Sequence, residues 1–206
     1  LAKGFVVDEL MYKHWDEWVK TIPHSLVADF DGAQVTNIVD MLQDEPYEAP
    51  MKPFGGVESL AWAPDGKSVV YVSRKKTGMA YVLSTNSDLY QYNLETKETK
   101  NLTEGMMGYD TNPRFSKSGR YLAWLSMERD GYESDMNRIF ILDMENGEKK
   151  HLTANWDYAV DQMAWSPNEK AIFFTAPYLG CAPMFKIDVE TAEITTIADG
   201  EYDYAA

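Results

Sequence analysis

Short, almost wholly apolar runs recur along the chain, each bounded by residues that favour turns. Ser68-Val-Val-Tyr-Val-Ser73, Tyr121-Leu-Ala-Trp-Leu-Ser126 and Ala171-Ile-Phe-Phe-Thr175 are of this kind. Runs this short, rich in β-branched and aromatic residues, predict strands buried on both faces. A motif precedes each: Trp62-Ala-Pro-Asp-Gly-Lys67, Phe115-Ser-Lys-Ser-Gly-Arg120 and Trp165-Ser-Pro-Asn-Glu-Lys170. A third set follows: Asp88-Leu-Tyr-Gln-Tyr-Asn93, Arg138-Ile-Phe-Ile-Leu-Asp143 and Met184-Phe-Lys-Ile-Asp188. Each of these enters a polar turn and then a last strand ending Asn101-Leu-Thr103, His151-Leu-Thr153 or Thr196-Ile-Ala198.

The repeat length is therefore about 50 residues, and each unit holds about four strands. A four-stranded antiparallel sheet repeated in series is a propeller blade, which buries its two apolar faces only by stacking on neighbours. The pattern predicts an all-β propeller of about four such blades, the first incomplete, belonging to a larger propeller. The expected ranges are 1–43 for a partial blade, 53–104, 108–155 and 159–200 for full blades, and 201–206 for the start of another. Gly4-Phe-Val-Val7 fits the second strand of the opening blade, His24–Asp29 the third and Val35–Leu42 the fourth. Asp203-Tyr-Ala205 echoes Asp157-Tyr-Ala159, as if another first strand were beginning. The Pro-rich stretch from Glu45 to Phe54 reads as a connection.

Turn chemistry agrees. Pro64-Asp65-Gly66 suits a type I turn, with glycine taking the left-handed position. Ser118-Gly119 keeps that glycine, whereas Asn168-Glu169 lacks it, so the third turn is expected to differ or to carry strain.

Charge narrows the partners. The 206 residues carry 33 Asp and Glu against 19 Lys and Arg, a formal net charge of -14. Such a surface repels phosphate, so neither nucleic acid nor an anionic membrane is an expected partner. No apolar run is long enough to span a bilayer. Cys181 is the only cysteine, which excludes an internal disulfide and a four-cysteine zinc site. Its setting, Leu179-Gly-Cys-Ala-Pro183, reads as a connection rather than a nucleophile site.

Searches for chemistry within the chain give little. No serine sits in Gly-x-Ser-x-Gly, and Ala61 stands where a phosphate loop ending at Gly66-Lys67-Ser68 needs its first glycine. His14, His24 and His151 show no helical zinc spacing, and the acidic turns lack the full ligand set of a calcium loop, so no cofactor or metal is expected. Asn101-Leu-Thr103 matches a glycosylation sequon, but His151-Leu-Thr153 marks Leu-Thr as part of the repeat. The best functional candidate is the insertion Glu128-Arg-Asp-Gly-Tyr-Glu133 between two strands, since loops on a rigid scaffold carry binding residues. Glu128, Arg129 and Glu133, with His14 beside Trp15 and Asp16, are the candidate substrate-binding residues. No catalytic residue is expected.

The repeat as a whole, with its Trp/Phe-Ser-x-Asp/Ser-Gly-Lys/Arg motif and terminal Leu-Thr, resembles the TolB-type propeller repeat. Tyr12-Lys-His-Trp-Asp-Glu-Trp18 and Met127-Glu-Arg-Asp-Gly-Tyr-Glu-Ser-Asp135 narrow the likeness. They resemble segments of the prolyl oligopeptidase family, in its bacterial dipeptidyl-peptidase and acylaminoacyl-peptidase branch. Lys13 departs from the arginine usual there. In that family a propeller caps an α/β-hydrolase domain that supplies Ser, Asp and His. The resemblance implies a substrate-gating propeller of a serine exopeptidase, inactive alone, whose partner is a peptide substrate held with the hydrolase domain. It favours a periplasmic or secreted setting over a cytoplasmic one. The competing readings are a TolB-like protein-interaction scaffold and, more weakly, a propeller lyase or glycosidase. A part-ring exposes apolar blade faces, so the isolated chain is expected to form a homodimer, or to close a four-bladed ring by adding Tyr202–Ala206 to the opening blade.

Overall fold

The computed structural model describes residues 4, 6–8, 10, 12–198, 200 and 202–205. Its regular structure is nearly all antiparallel strand. A short hairpin, β1 (Lys13–His14) and β2 (Glu17–Trp18), comes first, and a longer one, β3 (Leu26–Phe30) and β4 (Val35–Asp40), follows. Then come three four-stranded sheets. The first is β5 (Leu60–Trp62), β6 (Ser68–Ser73), β7 (Asp88–Asn93) and β8 (Thr99–Asn101). The second is β9 (Asp110–Phe115), β10 (Tyr121–Ser126), β11 (Arg138–Asp143) and β12 (Lys149–His151). The third is β13 (Gln162–Trp165), β14 (Ala171–Thr175), β15 (Met184–Asp188) and β16 (Ile194–Ala198). Strands pair in chain order within each sheet, the order of a propeller blade. Among the described residues a 3-10 turn, Val57–Ser59, leads into β5 and an α-helix, α1 (Gly78–Leu83), is inserted between β6 and β7; no helix among them is long and apolar enough to cross a membrane.

The apolar runs occupy second strands, and their two-residue alternation explains the stacking. Val70 and Val72 of β6 join Leu122 and Trp124 of β10 in one core. Ala123 and Leu125, on the other face of β10, join Ile172 and Phe174 of β14 in the next. Val69 and Tyr71, on the other face of β6, pack with Met41 and Leu42 after the opening hairpin. Side chains two apart share a face, so each central strand serves two cores.

First strands are tied across blades by hydrogen bonds. The Arg114 guanidinium of β9 donates to Glu58 O, before β5, at 3.2 Å, and the Trp165 indole of β13 donates to Arg114 O at 2.9 Å. The motif turns meet as well. Ala63 O accepts from Gly66 N–H at 2.9 Å, and the same bond recurs at Ser116–Gly119 and Ser166–Glu169. Gly66, Gly119 and Glu169 have φ of 69°, 79° and 60°. Glu169 thus holds the left-handed conformation that the other turns give to glycine, and its carboxylate accepts from the backbone and hydroxyl of Ser118 in the preceding blade. The recurrent Leu-Thr also has its reason. Leu102 and Leu152 fill the cores, while the Thr103 and Thr153 hydroxyls accept the third-strand amides of Leu89 and Ile139, each at 3.0 Å.

Two expectations fail at the ends. Gly4, Val6 and Val7 form no strand, and Phe5 lies outside the described residues. The hairpin β1–β2 forms instead, where Lys13 packs its ammonium over the Trp18 ring at 4.6 Å. Residues 202–205 add to no blade as a strand, and Ala206 lies outside the described residues. They fold back on the final blade: Tyr204 N–H donates to Ala182 O at 2.9 Å, and Asp203 accepts from Ala182 N–H at 2.9 Å. Those bonds keep this segment from completing the opening blade.

Candidate functional site

Antiparallel connectivity sorts the loops by end. Turns between first and second strands leave one end of the propeller, and connections between second and third strands leave the other. The long second-to-third connections, 74–87 and 127–137, therefore gather together with the crossovers between blades. A cavity of about 600 Å³ opens there, lined among others by His14, Lys52, Arg74, Tyr81, Tyr109 and Glu133. A wider hollow of about 1080 Å³ lies beside it, and His14 and Tyr81 line both.

The wall between the two is a small polar cluster. His14 Nε2 lies 3.5 Å from Glu48 Oε2, and the Tyr81 hydroxyl donates to Glu48 Oε1. Glu48 is buried. Burial, and next the Glu48 carboxylate, raise the Tyr81 pKa, so this phenol stays a donor. The other histidine nearby is also committed: His24 Nδ1 meets Asp40 Oδ2 at 2.8 Å, and its Nε2 lies 3.1 Å from Glu45 O.

The insertion between β10 and β11 is anchored by two aspartates. Asp130 Oδ1 accepts from Ser84 Oγ at 2.6 Å, Thr85 N–H at 2.8 Å and Asn86 N–H at 3.1 Å, all on the neighbouring blade. Gly131 N–H returns a bond to Thr85 Oγ1 at 2.9 Å. Burial pushes the Asp130 carboxyl up, but these donors and Lys76 outweigh it and hold the pKa low. Within the loop, Asp135 accepts from the amides of Glu128, Arg129 and Met136. Burial again opposes, yet these donors and Arg138 bring Asp135 down to about 2. Gly108 supplies the close fit beneath, since a Cβ there would stand 1.5 Å from Met127 O.

The four candidate residues separate. His14 and Glu133 come together at the cavity. Glu128 is exposed and pairs with Arg138 at 3.2 Å, while Arg129 lies 3.8 Å from Asp135 and 4.2 Å over the Tyr132 ring. Neither lines the cavity. Sequence reasoning passed over Arg74, Glu48 and Tyr81, which sit in a basic run, a Pro-rich connection and an unforeseen helix turn. Only Asp130 had a signal, being inside the insertion. The arrangement is chemically suited to charged groups: Glu133 offers a carboxylate to a cation, and Arg74 and Lys52 offer positive charge to an anion. Among the described residues, no three His, Cys, Asp or Glu side chains gather as a metal site would require.

Residues 50–205 match the family described as the dipeptidyl peptidase IV (DPP IV) N-terminal region. The chain belongs to that family. It is 50% identical over 204 residues to dipeptidyl-peptidase 5 of Porphyromonas gingivalis, covering 99% of this chain and 30% of that protein. The chain thus spans under a third of the length of this relative. Among solved structures, a puromycin hydrolase superposes with a TM-score of 0.64 at 14% identity, over 86% of this chain and 28% of that one. TolB from Acinetobacter baumannii gives 0.53 at 21% identity, over 84% and 36%. At such identities these two establish the fold alone. The DPP IV N-terminal family agrees with the resemblance carried by Tyr12–Trp18 and Met127–Asp135: this is a propeller region of the prolyl oligopeptidase group, built on TolB-type repeats.

Proposed function

We propose that the chain is the substrate-gating propeller of a serine exopeptidase of dipeptidyl- or acylaminoacyl-peptidase type. The catalytic Ser, Asp and His would come from an α/β-hydrolase domain outside these residues, and this segment alone would be inactive. One observation carries the reading. The family-like insertion is pinned across two blades by Asp130, and it presents Glu133 to a cavity that His14 also lines. A carboxylate in a partly closed cavity suits a peptide ammonium, because low dielectric strengthens the pair. His14, fixed against Glu48, would contact the same peptide. Glu128 and Arg129 would act at the rim, meeting longer peptides before they enter. The relatives favour a periplasmic or secreted setting.

In isolation the chain would form a homodimer. Leu26, Phe30, Val35 and Ile38 leave an exposed apolar patch on the β3–β4 sheet, and a second copy would cover it. A monomer by light scattering overturns that part.

The coding sequence provides the test of the main reading. A downstream Gly-x-Ser-x-Gly followed by a later histidine supports a peptidase. A stop codon soon after Ala206 contradicts it and favours a TolB-like scaffold.

A further inference from the structure

Arg74 is the least satisfied arginine among the described residues. Its guanidinium carries five N–H donors. Two carbonyls, Tyr81 O and Thr85 O, lie at 3.5 Å, the outer limit of a hydrogen bond. Its Nε is buried without any partner, and it makes no ion pair among the described residues. Its remaining support is the Tyr81 ring, 4.9 Å from Cζ. The other arginines are answered. Arg138, similarly withdrawn, meets Glu128 and Asp135; Arg120 meets Asp143; Arg129 meets Asp135; and Arg114 donates to two carbonyls at 3.2 and 2.9 Å. A partly buried guanidinium without a counter-charge is costly and is expected to be completed by something else.

The surroundings say what would complete it. Although the chain is acidic overall, Lys13, Lys52 and Arg74 line this cavity against Glu133 among the described residues, with the Glu48 carboxylate behind the lining, taken up by Tyr81 and His14. Tyr81, its hydroxyl given to Glu48, offers its ring to Arg74, and Tyr109 lines the same wall. A planar guanidinium with free donors matches a carboxylate in a bidentate fork.

We infer that this cavity is a carboxylate-binding site anchored by Arg74, with Lys52 contributing charge from the rim. The ligand class is a short peptide bearing a carboxylate at its free C-terminus or on an acidic side chain. The peptide nature of the ligand rests on the function proposed above; the anion site rests on Arg74 and the cavity.

The test is calorimetric titration of the 206-residue chain with three probes: Ala-Phe, Ala-Phe-amide and Glu-Phe-amide. At least one carboxylate-bearing probe is expected to bind about tenfold more tightly than Ala-Phe-amide. Preference for Ala-Phe assigns a terminal carboxylate, and preference for Glu-Phe-amide a side-chain carboxylate. Arg74→Gln should abolish the preference. Arg74→Lys keeps the charge without the fork and should retain part of it, and Lys52→Gln should lower it a few-fold without touching a buried group. If Arg74→Gln fails to fold by circular dichroism, the Lys and Lys52 variants decide. Equal binding of all three probes, no binding of either carboxylate probe, or a preference unchanged in the variants overturns the inference. N-acetyl-Ala-Phe separates the two proposals: if it binds as Ala-Phe does, the ammonium role of Glu133 fails while the carboxylate site stands.

Discussion

Asp130 reaches Ser84 across a blade boundary, its Oδ1 accepting a hydrogen bond from the Ser84 hydroxyl at 2.6 Å. The two residues sit on different second-to-third connections, so the bond joins two loops that the sheets alone would leave independent. Asp130→Ala should free both. Amide exchange at Thr85, Asn86 and Gly131 is expected to accelerate about tenfold or more, while the β6 and β10 amides stay protected. Global stability should fall by only about 1 kcal/mol, because Asp130 serves loops rather than a core. Uniform exchange changes across the sheets would contradict this division.

Glu169 combines a strained backbone with a useful side chain. Glu169→Gly relieves the positive φ but loses the bonds to Ser118; Glu169→Ala loses the bonds and keeps the strain. The urea midpoint should therefore fall further for alanine than for glycine. The reverse order would show that the left-handed geometry carries no cost here.

Thr153 accepts the buried Ile139 amide and is itself buried. Thr153→Val keeps the shape and orphans that amide, so chemical denaturation should show a loss of about 1–3 kcal/mol. A loss near zero would mean that the Leu-Thr repeat is conserved within the chain for packing alone.

Asp110 is fully buried, with Oδ1 accepting from the Trp124 indole at 3.1 Å and Oδ2 unpartnered. Burial raises its pKa from 3.8 to about 7, against the pull of the Trp124 indole and the nearby Ser126 and Thr103 hydroxyls. Below pH 3.8 the group is protonated in both states. Between 3.8 and about 7 the folded chain holds a proton that the unfolded chain has released, so stability falls as pH rises and levels off above the folded pKa. Asp110→Asn is neutral throughout. The stability of the natural chain relative to this variant should decline across that window, by at most about 4 kcal/mol. A pH-independent difference in urea titrations would contradict the assignment.

The repeat was legible because it is local. Apolar runs, turn residues and the Leu-Thr ending each report a backbone constraint that stands in consecutive residues, and strands such as β6, β10 and β14 fall on those runs. The site was less legible because it is assembled across blades. His14, Glu48 and Tyr81 meet from three separate stretches, and no spacing announces them. Glu133 and Asp130 were visible only as parts of an interruption in the repeat. The opening strand was misread because Val6 and Val7 look like a buried run, whereas both are exposed. The missing glycine of the third turn was a sound warning of strain, and its explanation lay in a carboxylate reaching the preceding blade.

The central claim is that this propeller lends its cavity to a peptidase and that Glu133 receives the substrate amine. Steady-state kinetics of the full-length protein on a dipeptidyl amide reporter, compared with its Glu133→Gln variant, tests it most directly. The account predicts a KM higher by about tenfold or more in the variant with kcat little changed, since ground-state binding is what is lost. It also predicts that the N-acetylated reporter is poor for both proteins. Unchanged KM would contradict it, and equal cleavage of the acetylated reporter by the natural protein would contradict the amine role of Glu133 and leave the acylaminoacyl-peptidase type in its place.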